Sequence, residues 1–300
     1  MRQIIITGTN GYIANAMKRW FGQTEPETTV FLLDVRTDAW KQHSFRGVDA
    51  IIHTAALVHQ KESEHSLEEY QQVNVELTRE LARKAKDEGV GQFLFFSTMA
   101  VYGIEASCFR KVEITMQTPL TPKTKYGITK LAAEQVLQEM ESEQFVVTIL
   151  RPPMIYGPDC PGNYQSLRAL TLKFGVIPWI TNRRSMLYVG FLCDIVGELL
   201  IQKRRGIYWP QNPELVCTSE LADEIARCNG RRAIRSRLAG FVVRIASLVL
   251  PVFRKAFGSE CYGADIEQKN KQLMQEATER PQCYGVLTLQ ETIEKTEKIF

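Results

Sequence analysis

Tyr126-Gly-Ile-Thr-Lys130 sets a phenol and an amine four residues apart, a spacing that on a helix puts both on one face, one turn apart. A free phenol titrates at about 10 and is a poor base at neutral pH. A neighbouring ammonium favours the phenolate and draws it toward the working range of a general acid/base. The spacing recurs by chance in many helices, so it counts only in company. That company begins upstream, where the apolar run 92–97 ends in Ser97-Thr98 and offers a strand-end hydroxyl to the same substrate oxygen.

A second piece of chemistry opens the chain. Residues 2–7 read as a strand and lead into Thr7-Gly8-Thr9-Asn10-Gly11-Tyr12-Ile13-Ala14, a Gly-x-x-Gly-x-x-Ala turn followed by a helix. Gly8 permits the tight turn, Gly11 lets the backbone approach a pyrophosphate, and small Ala14 lets the helix pack on the strand. The helix start adds free N–H groups and a partial positive charge. The next strand ends at Asp34, about 20 residues past Ala14, where an acid binds the ribose hydroxyls of a dinucleotide and repels a 2′-phosphate. NAD is therefore expected over NADP, with Arg36 two residues on softening the choice. Roughly fifteen residues separate Asp34 from Asp49, so one strand usual in such folds is expected to be abbreviated.

These groups need a scaffold of alternating elements. Strands are placed at 2–7, 29–33, 49–53, 92–97 and 145–150, and helices near 12–21, 66–88 and 124–141. Leu67, Tyr70, Val73, Leu77 and Leu81 form one buried stripe, and Gly89 stops that helix. Strands alternating with helices predict an α/β protein with a doubly wound parallel sheet. Past Arg151 the residues Pro152, Pro153, Gly157, Pro158, Pro161 and Gly162 mark an irregular crossing. The division is set at 1–155 and 156–300, with segments of the second part returning to the first sheet.

Composition narrows the classes. With 44% hydrophobic and 24% charged residues and a net charge of +3, the chain is an ordinary globular one with no case for nucleic acid. Cysteines 108, 160, 193, 217, 228, 261 and 283 are scattered, without metal or disulfide spacing, as in a reducing compartment. The start runs straight into Ile4-Ile5-Ile6 with no signal-peptide pattern, so a cytoplasmic protein is expected. Residues 238–257 are strongly apolar, but Arg244 and Pro251 interrupt them well short of the ~20 residues of a membrane span. An amphipathic helix covering the second domain is the plain reading, and a membrane-surface or partner-binding helix the alternative.

The order of glycine turn, strand-end acid, strand-end hydroxyl and Tyr-x-x-x-Lys resembles the extended short-chain dehydrogenase/reductases of the nucleotide-sugar epimerase/dehydratase family. The matching segments are ITGTNGYIANAM, VDAIIHTAALVH, VNVELTRELA, FLFFSTMAVYG, YGITK, ILRPPMIYGPD, NRRSMLYV and TSELADEIA, over nearly the whole chain. The likeness leans to a UDP-glucose 4-epimerase-like subgroup that shares RPPxxYGP followed by RSxxxV. That subgroup includes enzymes reducing UDP-4-keto-hexosamines for surface polysaccharides. The resemblance implies a Rossmann domain with a smaller C-terminal α/β substrate domain, NAD as cofactor, a UDP-linked sugar as substrate and a homodimer.

Carried over position by position, cofactor contacts fall on Gly8, Gly11, Tyr12, Ile13 and Asp34, on the backbone at Ala55 and Ala56, and on Asn74, Tyr126, Lys130 and Pro153. Thr98 takes the place of the catalytic Ser/Thr beside Tyr126 and Lys130, and also faces the substrate. Asn163 and Arg184 fall where the family holds the nucleotide diphosphate, a task suited to the planar fork of arginine; Arg183 is the alternative reader. Ala14 replaces a third glycine, Phe191 stands where an acid is usual with Asp194 three residues on, and 258–290 matches loosely.

The implied chemistry is removal of the C4 hydroxyl proton by Tyr126 as the C4 hydride passes to NAD⁺. Return of hydride to the other face of a rotated 4-keto sugar makes an epimerase; one-way reduction of a 4-keto sugar makes a reductase. Asp34, by favouring a retained NAD, tilts the reading to epimerase. A 4,6-dehydratase would need Asp-Glu after the threonine, whereas Thr98 is followed by Met99-Ala100. A non-catalytic NAD sensor would be marked by a lost Tyr or Lys, and both are present.

Overall fold

Near-continuous runs of Ile, Val, Leu and Phe make strands that must be buried on both faces. In the computed structural model, which describes residues 2–58, 64–278 and 287–298, such runs form β1 (Gln3–Thr7), β2 (Thr29–Leu33), β3 (Ala50–His53), β4 (Gln92–Phe96) and β6 (Val146–Leu150). The short strands are β5 (Glu113–Ile114), β7 (Met154–Tyr156), β8 (Val176–Pro178), β9 (Met186–Tyr188), β10 (Gly206–Tyr208), β11 (Ile234–Ser236) and β12 (Cys261–Tyr262). The main sheet is parallel throughout, in the order β10-β6-β4-β3-β1-β2. Its pleat sorts side chains between two cores. Ile4 and Ile6 pack on one face and Ile5 on the other.

The helices are α1 (Tyr12–Thr24), α2 (Leu67–Gln71), α3 (Leu77–Asp87), α4 (Lys125–Met140), α5 (Asn163–Phe174), α6 (Val189–Ile201), α7 (Thr218–Cys228), α8 (Arg237–Ala246), α9 (Pro251–Phe257), α10 (Ala264–Thr278) and α11 (Leu289–Glu297). The single helix expected over 66–88 is interrupted: one π-turn, Gln72–Glu76, joins α2 to α3. Where a strand was expected to be abbreviated, the chain makes a 3-10 turn at Asp38–Gln42, anchored by buried Trp40, and β2 is left as the sheet edge.

Two parts of the second half complete this layer. β10 pairs with β6, and α6, buried at nearly every position, packs on α1. Gly197 makes room for the Trp20 ring, whose indole N–H donates to Asp194 at 2.8 Å. Asp194 is thereby a core acceptor. The pairs β7–β9, β8–β11 and β5–β12 organise the rest. The six described cysteines are free thiols, five of them buried; Cys283 lies outside the described residues.

Candidate active site

The sheet order reverses between β2 and β3 across β1, and a crevice at such a reversal lies outside the carboxyl ends of the strands. Both glycines of the opening motif sit there. Gly8 has φ +92°, a left-handed backbone that side chains disfavour, and its N–H donates to Leu33 O at 3.0 Å. Gly11 is the N-cap of α1, and a Cβ there would lie 3.1 Å from Gly8 O. With no side-chain cap and no acid in its first turn, the helix start is open to an anion. Asn15 pins the turn through Thr9 O (3.2 Å) and Gly11 O (2.9 Å). The cradle fits a pyrophosphate.

The facing wall follows β3. Thr7 Oγ accepts from Thr54 N and Ala55 N, each at 3.2 Å, which holds the Ala55-Ala56 backbone beside Gly8. Behind it lies buried His53. The Thr78 hydroxyl donates to Asn74 O at 2.9 Å, so toward His53 Nε2, also at 2.9 Å, it can only accept. Nε2 therefore carries the proton, and Nδ1 accepts from Thr7 at 2.8 Å. Burial, reinforced by Lys130, pushes the imidazole down to about 3, so the ring stays neutral. The Thr7–His53–Thr78 chain escaped sequence reasoning, although a histidine closing the apolar run Ala50–His53 was its signal.

Asn74, expected at the cofactor, has its amide engaged within the protein. Its Oδ1 accepts from Leu57 N at 2.8 Å and its Nδ2 donates to Thr129 at 3.1 Å. The π-turn, a geometry frequent at functional sites, aims it there and ties the loop after β3 to α4. Asp34, at the end of β2, is gripped by Arg36, whose Nε lies 2.9 and 3.1 Å from the carboxylate oxygens. That contact and the Arg36 N–H hold Asp34 at about 2.

The reactive pair stands at the start of α4. Thr124 caps the helix by accepting from Gly127 N at 3.0 Å. Gly127 itself allows α4 to lie against the 3-10 turn Met99–Tyr102, since a Cβ would meet Ala100 O at 2.7 Å. Thr98, the N-cap of that turn, accepts from Ala100 N at 3.2 Å and stands near enough to the Tyr126 hydroxyl to favour its ionised form. Lys130 Nζ lies 5.9 Å from the Tyr126 ring centre and 4.4 Å from that of Phe95.

The electrostatics reverse the sequence-based expectation. Burial raises the Tyr126 phenol well above its ordinary value, against the opposing influence of Thr98, and pushes Lys130 down to about 7, against the pull of Glu134. Lost hydration disfavours both charged forms and outweighs their attraction at this separation. With its proton on, the phenol can give one to a carbonyl oxygen; taking one from an alcohol requires the phenolate, which the positive charge of a protonated Lys130 favours.

Beneath the pair runs a buried network. Glu134, one turn beyond Lys130, accepts from Arg151 Nε (3.1 Å) and Nη2 (2.6 Å) and from Ser97 Oγ. Arg151 Nη1 donates to Tyr102 at 3.0 Å, which also accepts from Trp209 Nε1 at 2.5 Å. The backbone closes the same unit: Ser97 N donates to Leu150 O at 2.8 Å and Met99 N to Pro152 O at 3.0 Å, beside Pro153. The buried pair was missed. Its only sequence signal is Glu134 continuing the Tyr126–Lys130 face at the same four-residue spacing.

In the second half, Asn163 is exposed at the first turn of α5. Arg184 is not the surface arginine its Arg183-Arg184 setting suggests. Its Nη1 donates to Lys255 O and to Ala256 O (3.0 Å), last-turn carbonyls of α9, and burial lowers its guanidinium pKa against the opposing pull of Glu260. Arg183 is exposed, with its N–H on Ser259 Oγ at 3.2 Å.

Residues 4–172 match the model of the NAD dependent epimerase/dehydratase family. A UDP-glucose 4-epimerase of Vibrio cholerae is 30% identical over 192 residues, 60% of this chain and 57% of that protein. An N-acetyl-alpha-D-glucosaminyl-diphospho-ditrans,octacis-undecaprenol 4-epimerase of Escherichia coli O157:H7 is 32% identical over 168 residues, 54% of this chain and 49% of that one. The chain thus spans about half the length of these curated relatives. The structure of RMD from Pseudomonas aeruginosa complexed with NADPH superposes with a TM-score of 0.73 at 19% identity, covering 100% of this chain and 99% of that one.

Proposed function

Because the chain belongs to the NAD-dependent epimerase/dehydratase family, we propose that it is an epimerase acting at C4 of a UDP-linked hexose through a 4-keto sugar. The observation that carries the reading is the convergence of Thr98, Tyr126 and Lys130: Thr98 caps the turn against which the start of α4 lies, and Lys130 Nζ is 5.9 Å from the Tyr126 ring centre. As the phenolate, Tyr126 takes the C4 hydroxyl proton and later returns it, Thr98 steers that oxygen, and protonated Lys130 balances the phenolate charge. NAD, when bound, supplies the acceptor and donor of hydride. Gly8, Gly11 and the amides of Tyr12 and Ile13 hold its pyrophosphate, with Asp34, Ala55, Ala56 and Pro153 along the rest. Asn163 and Arg184 hold the sugar's diphosphate.

The test has two arms. Mass spectrometry of nucleotides released on denaturation should show NAD. Proton NMR of UDP-hexoses incubated with the protein should show the C4 epimer appear, and Tyr126→Phe should slow it at least about 10²-fold while NAD still binds. A Tyr126→Phe variant of near-native rate overturns the assignment.

A second reading of the carrier has one observation in its favour. The Escherichia coli relative is named for a sugar diphosphate on a polyprenol, and α9, held here by Arg184, belongs to a broad apolar face. Epimerisation of the polyprenyl-linked sugar but not of its UDP counterpart would decide for it.

A further inference from the structure

The segment 231–258 carries seven cationic side chains and no carboxylate, although the whole chain has a net charge of only +3. Within it lies the apolar run that was expected to cover the second domain. The structure turns it the other way. In α8 the packed positions are small: Gly240 lies against the Trp179 backbone, where a Cβ would stand 2.4 Å from its carbonyl, and Val243 is the other buried residue. The large side chains point out. Leu238 is 75% exposed and Phe241 63%, with Val242 and Ile245 exposed beside them, at positions i, i+3, i+4 and i+7 of one helical stripe.

The turn into α9 continues that face rather than breaking it. Leu248 is 62% exposed, Val249 81% and Val252 63%, so the tip of this helix–turn–helix is apolar where a water-facing turn would be polar. Exposed apolar area of this extent marks an interaction surface. Exposed cations flank it along the chain: Arg231 and Arg232 just before β11, Arg237 at the start of α8 and Lys255 in α9.

A large apolar stripe flanked by cations, on helices too short to span, has the make-up of an element that lies in a lipid headgroup layer. Among the described residues no helix is long and apolar enough to cross a membrane. A second copy of the chain is a poorer fit, because a two-fold contact would bring two such cationic segments together. An anionic lipid surface complements both the apolar stripe and the flanking cations.

We propose that the α8–α9 hairpin seats this protein on an anionic phospholipid surface, with Leu238, Phe241, Leu248 and Val249 entering the acyl boundary and Arg231, Arg232, Arg237 and Lys255 meeting lipid phosphates. The seat lies directly against the substrate half, since Arg184 holds the last carbonyls of α9. It stands on surface chemistry and goes beyond the catalytic reading, so either holds if the other fails.

Co-sedimentation of the full chain with vesicles tests it. Vesicles of 70% phosphatidylcholine and 30% phosphatidylglycerol should pellet the protein at 50 mM salt. Pure phosphatidylcholine should bind it at least tenfold more weakly, and so should the anionic vesicles at 500 mM salt. Leu248→Glu/Val249→Glu, at solvent-facing positions, should abolish pelleting with the thermal melt unchanged, and Arg231→Glu/Arg232→Glu should lower it severalfold on anionic vesicles only. No pelleting with the anionic vesicles overturns the proposal. So does pelleting that Leu248→Glu/Val249→Glu leaves intact, or a dimer of the wild type that this variant dissolves without any lipid binding.

Discussion

Replacing Glu134 by glutamine removes one charge and almost no volume from the network beneath the reactive pair. Arg151 would then keep its buried guanidinium with Tyr102 and a single uncharged amide oxygen as side-chain acceptors, and an amide N–H₂ facing its own donors. Stripping one partner from a buried ion pair costs about 3–5 kcal/mol, because the other charge stays desolvated. At about 2.1 cal/mol/K of unfolding entropy per residue, 300 residues give about 0.6 kcal/mol/K. The melting temperature should therefore fall by about 5–8 °C at pH 7.

The assay is near-UV circular dichroism melting of Glu134→Gln, Arg151→Gln and the double variant. Each single change should lose most of what the double loses, because the second removal relieves the orphaned group left by the first. That amounts to a coupling of about 2–3 kcal/mol in the cycle. Single shifts under about 1 °C, or shifts that simply add, would refute the network reasoning.

Lys130, held down to about 7 against the ordinary lysine value of 10.5, binds its proton less well folded than unfolded. Stability should therefore rise between pH 7.5 and 9.5, measured as a urea midpoint, and Lys130→Met should lose that rise. Arg36→Ala should free the Asp34 carboxylate to repel a 2′-phosphate, raising the NAD-over-NADP preference in parallel titrations; a preference that stays flat or falls would refute that role. Arg184→Ala should weaken UDP roughly 10- to 150-fold, the scale of a lost charge-assisted bidentate contact. Because Arg184 also holds α9, the melting temperature should fall with it, and unchanged UDP affinity in calorimetric titration would leave only the structural role.

Local spacing carried much of this protein's identity in the sequence. The Gly8–Gly11 turn, the apolar strand runs and the Tyr126–Lys130 turn are patterns within a few residues, so backbone geometry alone places them. Even the abbreviated strand before Asp49 was legible as too short an interval. What needed the tertiary structure was whatever depends on burial or on partners far along the chain. Glu134 meets Arg151, and Thr7 meets His53 and through it Thr78, only once β1, β3, β4 and β6 are side by side. The sign of the Tyr126 and Lys130 shifts also followed from burial, because desolvation outweighed the one-turn attraction that spacing predicts. Helical periodicity in 238–257 likewise announces a stripe but not what it faces; the fold packs Gly240 and Val243 inward and leaves the large residues outside.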